Sequence, residues 1–371
     1  MPEAPASPTP DRPAAPGGQR PDELVALLRQ WARELGFQQL GIASIDIGSD
    51  EERLIRWLEL RRHGTMSYMS RHGRLRARPQ ELVPGTLRVI SARMDYLPPD
   101  AEPAEAVLAD GNLAYVSRYA LGRDYHKLLR RRLAQLAEKI AAHCQGTPYR
   151  AFVDSAPILE KAFARDAGLG WIGKHTNLIN RSAGSWFFLG EILTDLPLPV
   201  DQPASAHCGT CRACLDACPT QAIVAPYELD ATRCISYLTI ELRESIPVEF
   251  RRAMGNRIYG CDDCQLVCPW NKFSRLAVER DFAVRHGLDA SSLAGLFAWT
   301  EQEFLQRTEG SAIRRIGYEC WLRNIAVALG NAPASVDTIT ALRSRLDHPS
   351  AMVREHVRWA LAQHGEATHE A

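Results

Sequence analysis

The chain has 371 residues, and its 44 Lys and Arg residues balance 44 acidic ones, so the net charge gives no indication for or against a polyanionic partner. The length suffices for two or three domains, and no stretch approaches the roughly 18 apolar residues of a membrane span. Residues 1–20 are rich in Pro, Ala and Gly and lack the apolar segment of a signal peptide, so we expect a disordered tail and a cytoplasmic protein.

Helices and strands alternate irregularly between residues 21 and 200, which predicts an α+β fold for this domain. Leu24, Leu28 and Trp31 recur at helical spacing, and Gly36 ends this first helix. A further predicted helix begins at Asp50, and two more cover residues 125–142 and 157–167. Predicted strands cover residues 37–45, 87–97, 113–117, 149–153 and 185–194.

Gly168, Gly170 and Gly173 form a G-x-G-x-x-G pattern. In dinucleotide-binding folds this pattern follows a strand and opens a helix, whereas here it follows the predicted helix 157–167. We therefore reject a dinucleotide site. We expect these glycines to let the backbone approach a large flat ligand.

Two further motifs contain candidate catalytic or metal-binding groups. Asp154 follows the apolar strand 149–153 and precedes Pro157. It is either a general acid or a turn residue that caps the following helix, and the residues alone favour neither. Asp124-Tyr-His126 comes near the Asp-x-His-x-x-Gly motif that supplies a histidine to cobalt. The glycine is missing and the site lies in a basic helix, so we reject His126 as a cobalt ligand.

The cysteines indicate iron–sulfur clusters. Residues 208–219 fit Cys-x2-Cys-x2-Cys-x3-Cys-Pro, the signature of two-cluster ferredoxins, and residues 261–269 form a shorter second run. The runs supply seven thiolates, two [4Fe–4S] clusters need eight, and Cys234 is the only other cysteine between them. In ferredoxins the last cysteine of a run serves the other cluster. We therefore predict one ligand set of Cys208, Cys211, Cys214 and Cys268, and a second of Cys218, Cys234, Cys261 and Cys264.

Zinc and disulfides are the alternatives for these cysteines. A zinc ribbon joins two Cys-x2-Cys pairs roughly 15–20 residues apart, and disulfides require an oxidising compartment. Three thiolates at successive x2 steps, with a proline after the last cysteine of each run, suit an iron–sulfur cube better. Cys144 and Cys320 stand alone in helical patterns, and we expect both to be buried.

Three domains follow from the chain organisation, over residues 21–200, 201–285 and 286–371. Pro197, Pro199 and Pro203 mark the first boundary. Beyond residue 290 the pattern is wholly helical, and residues 323–331 and 348–361 resemble the second helices of HEAT-type repeats. Since fewer than three repeats are clear, an ordinary helical cap is the alternative.

Basic side chains concentrate in three places, at residues 118–139, 243–257 and 307–323. Any one of these groups alone fits a solvated helix face. Three such groups in a chain of zero net charge favour a surface that binds a phosphate backbone.

Together these motifs resemble those of the epoxyqueuosine reductases, the cobalamin- and iron–sulfur-dependent enzymes that complete queuosine in tRNA. The cysteine runs alone would fit many ferredoxin-like proteins, but the combination in this order is specific. The resemblance extends from about residue 20 to the C-terminus through Ser117–Lys127, Val153–Pro157, Gly170–Leu178, Phe188–Thr194, both cysteine runs, Cys234–Thr239 and the terminal helices.

The resemblance implies a nitroreductase-like domain that binds cobalamin without its lower base ligand, a ferredoxin-like module with two [4Fe–4S] clusters, and HEAT-like repeats. It also implies that an external donor supplies electrons through the clusters, and that Asp154 protonates the departing epoxide oxygen of the tRNA wobble nucleoside. The implied cobalamin contacts are Arg76, Ser117, Asp154, Lys174, His175, Thr176, Asn177, Leu178, Ser236, Asp262 and Asp263. One position departs from the family, whose members commonly have Arg-x-Asp-Pro where this chain has Arg76-Ala-Arg78-Pro79.

A tRNA substrate calls for phosphate contacts beside the cluster module and the helical tail. The implied contacts are Arg243, Arg251, Arg252, Arg257, Arg314 and Arg315.

Two other functions compete with epoxyqueuosine reduction. A reductive dehalogenase usually carries a twin-arginine export signal, and none is present. A non-catalytic electron-transfer or tRNA-binding protein would not need Asp154. No heptad pattern demands a second copy, so we expect a monomer.

Overall fold

The computed structural model of the protein describes residues 20–144, 149–154 and 156–366, so the predicted tail lies outside the described residues except for Arg20. Its helices are α1 (Pro21–Glu34), α2 (Asp50–Glu59), α3 (Ser67–His72), α4 (Pro79–Leu82), α5 (Ala104–Ala109), α6 (Tyr125–His143), α7 (Glu160–Asp166), α8 (Ala213–Asp216), α9 (Val248–Met254), α10 (Asp263–Leu266), α11 (Leu293–Phe297), α12 (Glu301–Arg307), α13 (Gly317–Asn331), α14 (Val336–Arg343) and α15 (Ala351–Gln363). Its strands are β1 (Gln39–Ser44), β2 (Arg88–Asp95), β3 (Tyr115–Val116), β4 (Tyr149–Val153), β5 (Trp171–Ile172), β6 (Leu178–Ile179), β7 (Phe187–Thr194), β8 (Ile223–Ala225), β9 (Glu228–Leu229) and β10 (Arg257–Tyr259).

A four-stranded antiparallel sheet in the order β1-β2-β7-β4 forms the centre of the first domain. Side chains alternate between its faces because successive residues of a strand point to opposite sides. Ile90 and Ile192, which pair across β2 and β7, pack against α1 and α6, while Val89 and Leu193 pack with α7 on the other face. Helices therefore cover both faces, and the end of β4 carries Asp154 to the edge of this core.

The cysteine module is connected to the first domain by a short parallel pairing between β3 and β10. The two cysteine runs contain the short helices α8 and α10, which contact each other, and the hairpin β8–β9 separates Cys218 from Cys234. Val116 of β3 and Ile258 of β10 also belong to the hydrophobic core of the C-terminal helices. The helical end of the chain thus packs directly on the strands that hold the cysteine module.

Two buried polar residues of α13 bind the loop after Cys234. Arg323 donates from Nη1 to the carbonyl of Leu242 at 2.8 Å and from Nη2 to that of Leu238 at 2.9 Å. Asn324 donates to the carbonyls of Thr239 and Ile258, each at 2.9 Å. Arg323 therefore satisfies internal backbone groups and is not part of the basic surface predicted for residues 307–323.

Two local predictions differ from the structure. The helix predicted for residues 157–167 begins at Glu160, so Pro157 lies in the loop before α7 and not in its first turn. The glycine pattern serves internal packing, because a Cβ at Gly170 would lie 2.2 Å from the Ile179 carbonyl oxygen and one at Gly173 would lie 2.5 Å from Ile179 Cδ1. These two glycines therefore allow the close approach of β5 and β6, and not that of a ligand. No helix in the described ranges has the length and apolar character needed to cross a membrane.

Candidate active site

Two cavities adjoin where the sheet meets the cysteine module. One, the Asp154 cavity, has a volume of about 300 Å³ and is lined by Asp154, Glu160, Leu178 and aromatic side chains. The other, the cysteine cavity, has a volume of about 260 Å³. Four residues line both cavities, namely Tyr119, Lys161, Asn177 and Gln265. A ligand too large for either cavity can therefore extend across both.

Asp154 lies at the end of β4 with its side chain about half exposed to the cavity. Its Oδ2 accepts a short hydrogen bond from the Tyr125 hydroxyl and lies 3.3 Å from His126 Nε2. The Tyr125 ring stacks on Phe188 with centroids 3.8 Å apart, which fixes the direction of its hydroxyl. Burial opposes ionisation, but the bonds from His126 and Tyr125 outweigh it and hold the pKa of Asp154 below its ordinary value.

Two more carboxyl groups lie close to Asp154. Glu160, the first residue of α7, lines the same cavity, and burial together with the charge of Asp154 raises its pKa to about 8. Glu191 in β7 is completely buried, both of its oxygens lack a hydrogen-bond partner within the described chain, and burial raises its pKa well above the ordinary value. At neutral pH the cavity therefore combines an ionised Asp154 with a neutral Glu160, and the neutral Glu191 lies buried behind the lining.

The interactions among the thiols follow the two predicted ligand sets, except that Cys214 of the first set also acts on Cys264 of the second. In the first group, burial and then the thiols of Cys268, Cys208 and Cys211 raise the pKa of Cys214 to about 11. The members of the second group all line the cysteine cavity: Cys218, Cys234, Cys261 and Cys264. Cys144 and Cys320 are buried away from these two groups.

Most of the implied cobalamin contacts line the two cavities. The cysteine cavity is lined by Ser117, His175, Thr176, Asn177, Ser236, Asp262 and Asp263, and Leu178 lines the Asp154 cavity. Lys174 and Arg76 do not line either one. Lys174 Nζ instead donates to the carbonyls of Gly209 at 2.7 Å and Cys211 at 2.8 Å, so it fastens the first cysteine run. The buried Arg76 donates to the Tyr68 carbonyl at 3.0 Å.

Three of the cavity residues already have partners inside the protein. Asp262 is buried and accepts hydrogen bonds from Ser117 Oγ at 2.6 Å, from Tyr115 at 2.8 Å and from the Arg118 amide at 2.8 Å. Asp263 accepts from Arg257 Nε at 2.7 Å. Ser117, Asp262 and Asp263 therefore shape the wall of the cavity through bonds that join the cysteine module to the first domain.

The implied tRNA contacts divide into buried and exposed arginines. Arg251 is 1% exposed and pairs with Glu355 at 2.8 Å, and Arg257 pairs with Asp263, so neither guanidinium is available to a phosphate group. These two assignments are wrong because the sequence did not show which face of α9 and β10 is buried. The exposed members of the set are Arg243, Arg252, Arg314 and Arg315.

Sequence reasoning missed several residues that line the site. Lys161 and Gln265 face both cavities, Glu160 faces the Asp154 cavity, and His126 contacts Asp154. The Asp124-Tyr-His126 motif makes His126 visible in the sequence, but nothing in that motif indicates its contact with Asp154. Lys161 and Gln265 belong to no recognisable local pattern.

Comparisons with known proteins assign this site to a family. A family model described as "4Fe-4S double cluster binding domain" matches residues 207–271, and one described as "Epoxyqueuosine reductase QueG, DUF1730" matches residues 76–155. An epoxyqueuosine reductase of Pseudomonas aeruginosa is 62% identical over 348 residues, which cover 93% of this chain and 96% of the relative. The chain belongs to the epoxyqueuosine reductase family. A relative of the same name from Escherichia coli is 60% identical over 343 residues, which cover 92% of this chain and 90% of that protein.

Solved epoxyqueuosine reductases have the same fold. A crystal structure of one with an epoxyqueuosine-modified tRNA stem loop superposes with a TM-score of 0.84 at 28% identity, covering 94% of this chain and 92% of the other. The Bacillus subtilis enzyme was solved with its catalytic aspartate loop swung out of the active site. It gives a TM-score of 0.81 at 28% identity, and the match covers 93% of this chain and 91% of that one.

The double-cluster domain confirms the iron–sulfur prediction and excludes the zinc and disulfide alternatives. As an epoxyqueuosine reductase, the protein is an oxidoreductase that acts in tRNA processing and queuosine biosynthesis.

Proposed function

We propose that epoxyqueuosine is reduced in the Asp154 cavity. Cobalamin would lie across both cavities, and the two [4Fe–4S] clusters held by the eight cysteines would supply the electrons from the side of the cysteine cavity. The observation that carries this proposal is the wall shared by the two cavities. Asp154 stands on one side of this wall and four cluster cysteines stand on the other. A cofactor that spans the wall would contact both the electron source and the substrate.

The residues present fit a large flat cofactor such as the cobalamin on which this family depends. His175 is buried, its Nε2 has no hydrogen-bond partner within the described chain, and it lines the cysteine cavity. Thr176 adopts a left-handed backbone conformation with φ of 67°, which turns the loop between β5 and β6 so that Asn177 borders both cavities. His175, Thr176, Asn177 and Ser236 would hold the cofactor. When bound, cobalamin supplies a reduced cobalt centre for attack on the epoxide-bearing ring.

The protein contributes the acid and the electron route. Asp154 would protonate the departing oxygen, and the structure of the Bacillus subtilis relative has a catalytic aspartate loop swung out of the active site. The two cysteine groups would each hold one [4Fe–4S] cluster. Cys211 of the first group is exposed, whereas the second group lines the cavity, so electrons from an external donor would enter at the first cluster and leave from the second.

The exposed arginines would hold the tRNA by its phosphates. Arg243 donates to the carbonyl of Ile316 at 2.7 Å. Arg314 and Arg315 directly precede Ile316 in the sequence, so Arg243 lies near both of them. Arg315 reaches Asp124 at 3.3 Å and so lies at the side of the cavity where His126 contacts Asp154. A solved relative has been crystallised with a modified tRNA stem loop, which supports this use of the surface. Phosphate contacts position the anticodon loop, while pocket residues would bind the wobble nucleoside itself.

The remaining predictions complete the proposal. The domains would be a nitroreductase-like unit over residues 21–200, a ferredoxin-like unit over 201–285 and a HEAT-like unit over 286–371. In the last of these, α13 packs on α15 and α14 packs on both. We also propose a monomer that works in the cytoplasm.

Conversion of an epoxyqueuosine-containing tRNA stem loop tests the acid role. The cluster-loaded protein is given cobalamin and a chemical reductant under anaerobic conditions, and Asp154→Asn is compared with Asp347→Asn, an exposed aspartate of the helical region. We expect product formation by the Asp154 variant to fall by about 100-fold or more, with unchanged iron content, while the Asp347 variant keeps full activity. Full activity of Asp154→Asn would remove Asp154 from the acid role.

A further inference from the structure

The imidazole of His126 lies between two carboxylates. Its Nδ1 is 2.7 Å from Asp124 Oδ1, and its Nε2 is 3.3 Å from Asp154 Oδ2. Only 8% of the residue is exposed, so the ring has little contact with bulk water. Arg315 Nη2 lies 3.3 Å from the same Oδ1 and 3.2 Å from His126 Nδ1. Arg315, Asp124 and His126 therefore form one cluster, and its imidazole contacts Asp154 at the cavity.

Helix capping explains only part of this arrangement. Asp124 caps α6 by accepting from the His126 backbone amide at 3.1 Å, which is an ordinary role for aspartate at this position. A cap does not require a histidine two residues later, nor a second carboxylate at the other nitrogen of that ring. A cation near the N-terminus of a 19-residue helix is opposed by the helix dipole. The two flanking carboxylates compensate for this cost.

The protonation states of the pair are the reverse of those needed by a lone general acid. Burial lowers the pKa of His126, but the hydrogen bonds to Asp124 and Asp154 outweigh it and raise this pKa above its ordinary value. The pKa of Asp154 is lowered by the same contact. At neutral pH the shared proton therefore resides on the imidazole side of the pair. Around the pair lie the ionisable groups Tyr125, Glu160, Glu191, Glu241, Tyr68, Lys161, Arg76 and Arg315.

The reaction requires more protons than Asp154 can hold. Conversion of an epoxide to an alkene breaks two C–O bonds, consumes two electrons and two protons, and releases the oxygen as water. One carboxyl group carries a single proton, so it must be reprotonated within each turnover. His126 is the nearest proton donor to Asp154 Oδ2 besides Tyr125, whose high pKa keeps its proton in place.

We propose that His126 supplies protons to Asp154, and that Asp124 holds the imidazole in the position needed for this transfer. The Nε2 proton of His126 moves to the ionised Asp154 at Oδ2, Asp154 passes this proton to the departing oxygen, and the imidazolium becomes neutral imidazole. The Nδ1 proton stays on the ring in its hydrogen bond to Asp124, and a proton taken up from solvent restores the imidazolium for the second transfer. The electrons come from the clusters, so the relay itself carries out no redox step. This inference rests on the proposed acid role of Asp154, and His126 acts through Asp154 without touching the substrate.

The test is the pH dependence of a single turnover, measured with cluster-loaded, cobalamin-loaded protein and the modified stem loop. In the wild type the rate should fall as pH rises through the raised pKa of His126, because the imidazolium form is present only below it. His126→Gln should be about tenfold to 100-fold slower at pH 7 and should lose this alkaline limb, with unchanged cobalamin binding and stem-loop affinity. Lys127→Gln, an exposed cation of the same helix turn, should keep both rate and profile.

Asp124→Asn separates the relay from a structural role. Asparagine caps helices as well as aspartate, so α6 should remain intact, but the lost carboxylate should lower the pKa of His126 and move the alkaline limb to lower pH. An unmoved limb in Asp124→Asn overturns the proposal, as does a wild-type profile in His126→Gln. Activity of Asp154→Asn is measured alongside. If that variant is fully active, the acid role fails by itself, whereas a slow Asp154→Asn with a normal His126→Gln refutes the relay alone.

Discussion

The two cavities are built from different kinds of sequence information. The cysteine cavity draws its four thiols from residues 218–264, and its lining also comes mostly from this one stretch and from the loop after β5. The Asp154 cavity combines side chains that are spread from residue 96 to residue 265 on many separate segments. A cluster can be recognised from cysteine spacing because its geometry is fixed by the inorganic core. An acid site made of common residues has no such fixed spacing.

This contrast extends to the charges of the two sites. On the cysteine side, buried charges are paired or hydrogen-bonded, as with Arg257 and Asp263. On the Asp154 side, Glu191 has no partner for either oxygen within the described chain, and Glu160 has none for Oε2. Paired groups join the cysteine module to its neighbours, whereas the protonated Glu160 holds a proton within the Asp154 cavity.

The largest expected effect is on the cysteine side. Cys234→Ala removes the ligand that no spacing motif marks, so the second cluster should be lost, iron content should fall from about eight to about four atoms per chain, and turnover should cease. Cys320→Ala is the matched control, since this buried cysteine lies in the core of the terminal helices. It should retain the full iron content. Eight irons in Cys234→Ala would refute the ligand sets proposed above.

Adjacent arginines of α9 give the next largest effect. Arg251 is buried, pairs with Glu355 and lies over Trp359, with its guanidinium carbon 5.4 Å from the ring centroid. Arg251→Ala should lower the free energy of unfolding by about 2–3 kcal/mol, measured by chemical denaturation of the cluster-loaded protein. Arg252→Ala should leave stability unchanged and weaken stem-loop binding, with a shallower dependence on salt. Equal effects of the two variants on stability would contradict this division.

These arginines illustrate what a sequence can and cannot supply. The strands β1, β2 and β7 lie within two residues of their predicted bounds, and the two cysteine runs follow from spacing. The direction of a long polar side chain depends on tertiary packing. Lys174 was expected at the cofactor but binds the Gly209 and Cys211 carbonyls, and Arg251 was expected at tRNA but is buried. The pairing of Asp154 with His126 joins residues 28 positions apart, which no local period indicates.

Glu160 tests the acid-rich side of the comparison. Because its pKa is raised to about 8, the folded state keeps a proton that the unfolded state releases above its ordinary value of 4.5, so this group destabilises the protein progressively as pH rises from 4.5 to 8. Glu160→Gln removes this effect. We expect about 1 kcal/mol of added stability at pH 7, after allowance for the partial exposure of the side chain to the cavity, and no difference near pH 4.5. If Glu160→Gln and the wild type were equally stable at both pH values, Glu160 would be ionised in the folded protein.

The smallest expected effect concerns Arg78, where the family commonly has aspartate. Its guanidinium is partly exposed, binds Glu51 at 2.9 Å and Glu81 at 2.9 Å, and does not line the Asp154 cavity. Hydrogen bonds from Arg78 and Arg74 lower the pKa of Glu51 to about 2. The ionised Glu51 therefore stabilises the folded protein above pH 4.5, and this contribution is lost as the pH falls towards 2. Since exposed pairs contribute little, Arg78→Ala should lower stability only slightly at neutral pH and low salt, still less at high salt, and should leave turnover unchanged. A large loss of turnover in Arg78→Ala would place this arginine in the active site and would extend the functional surface beyond the two cavities.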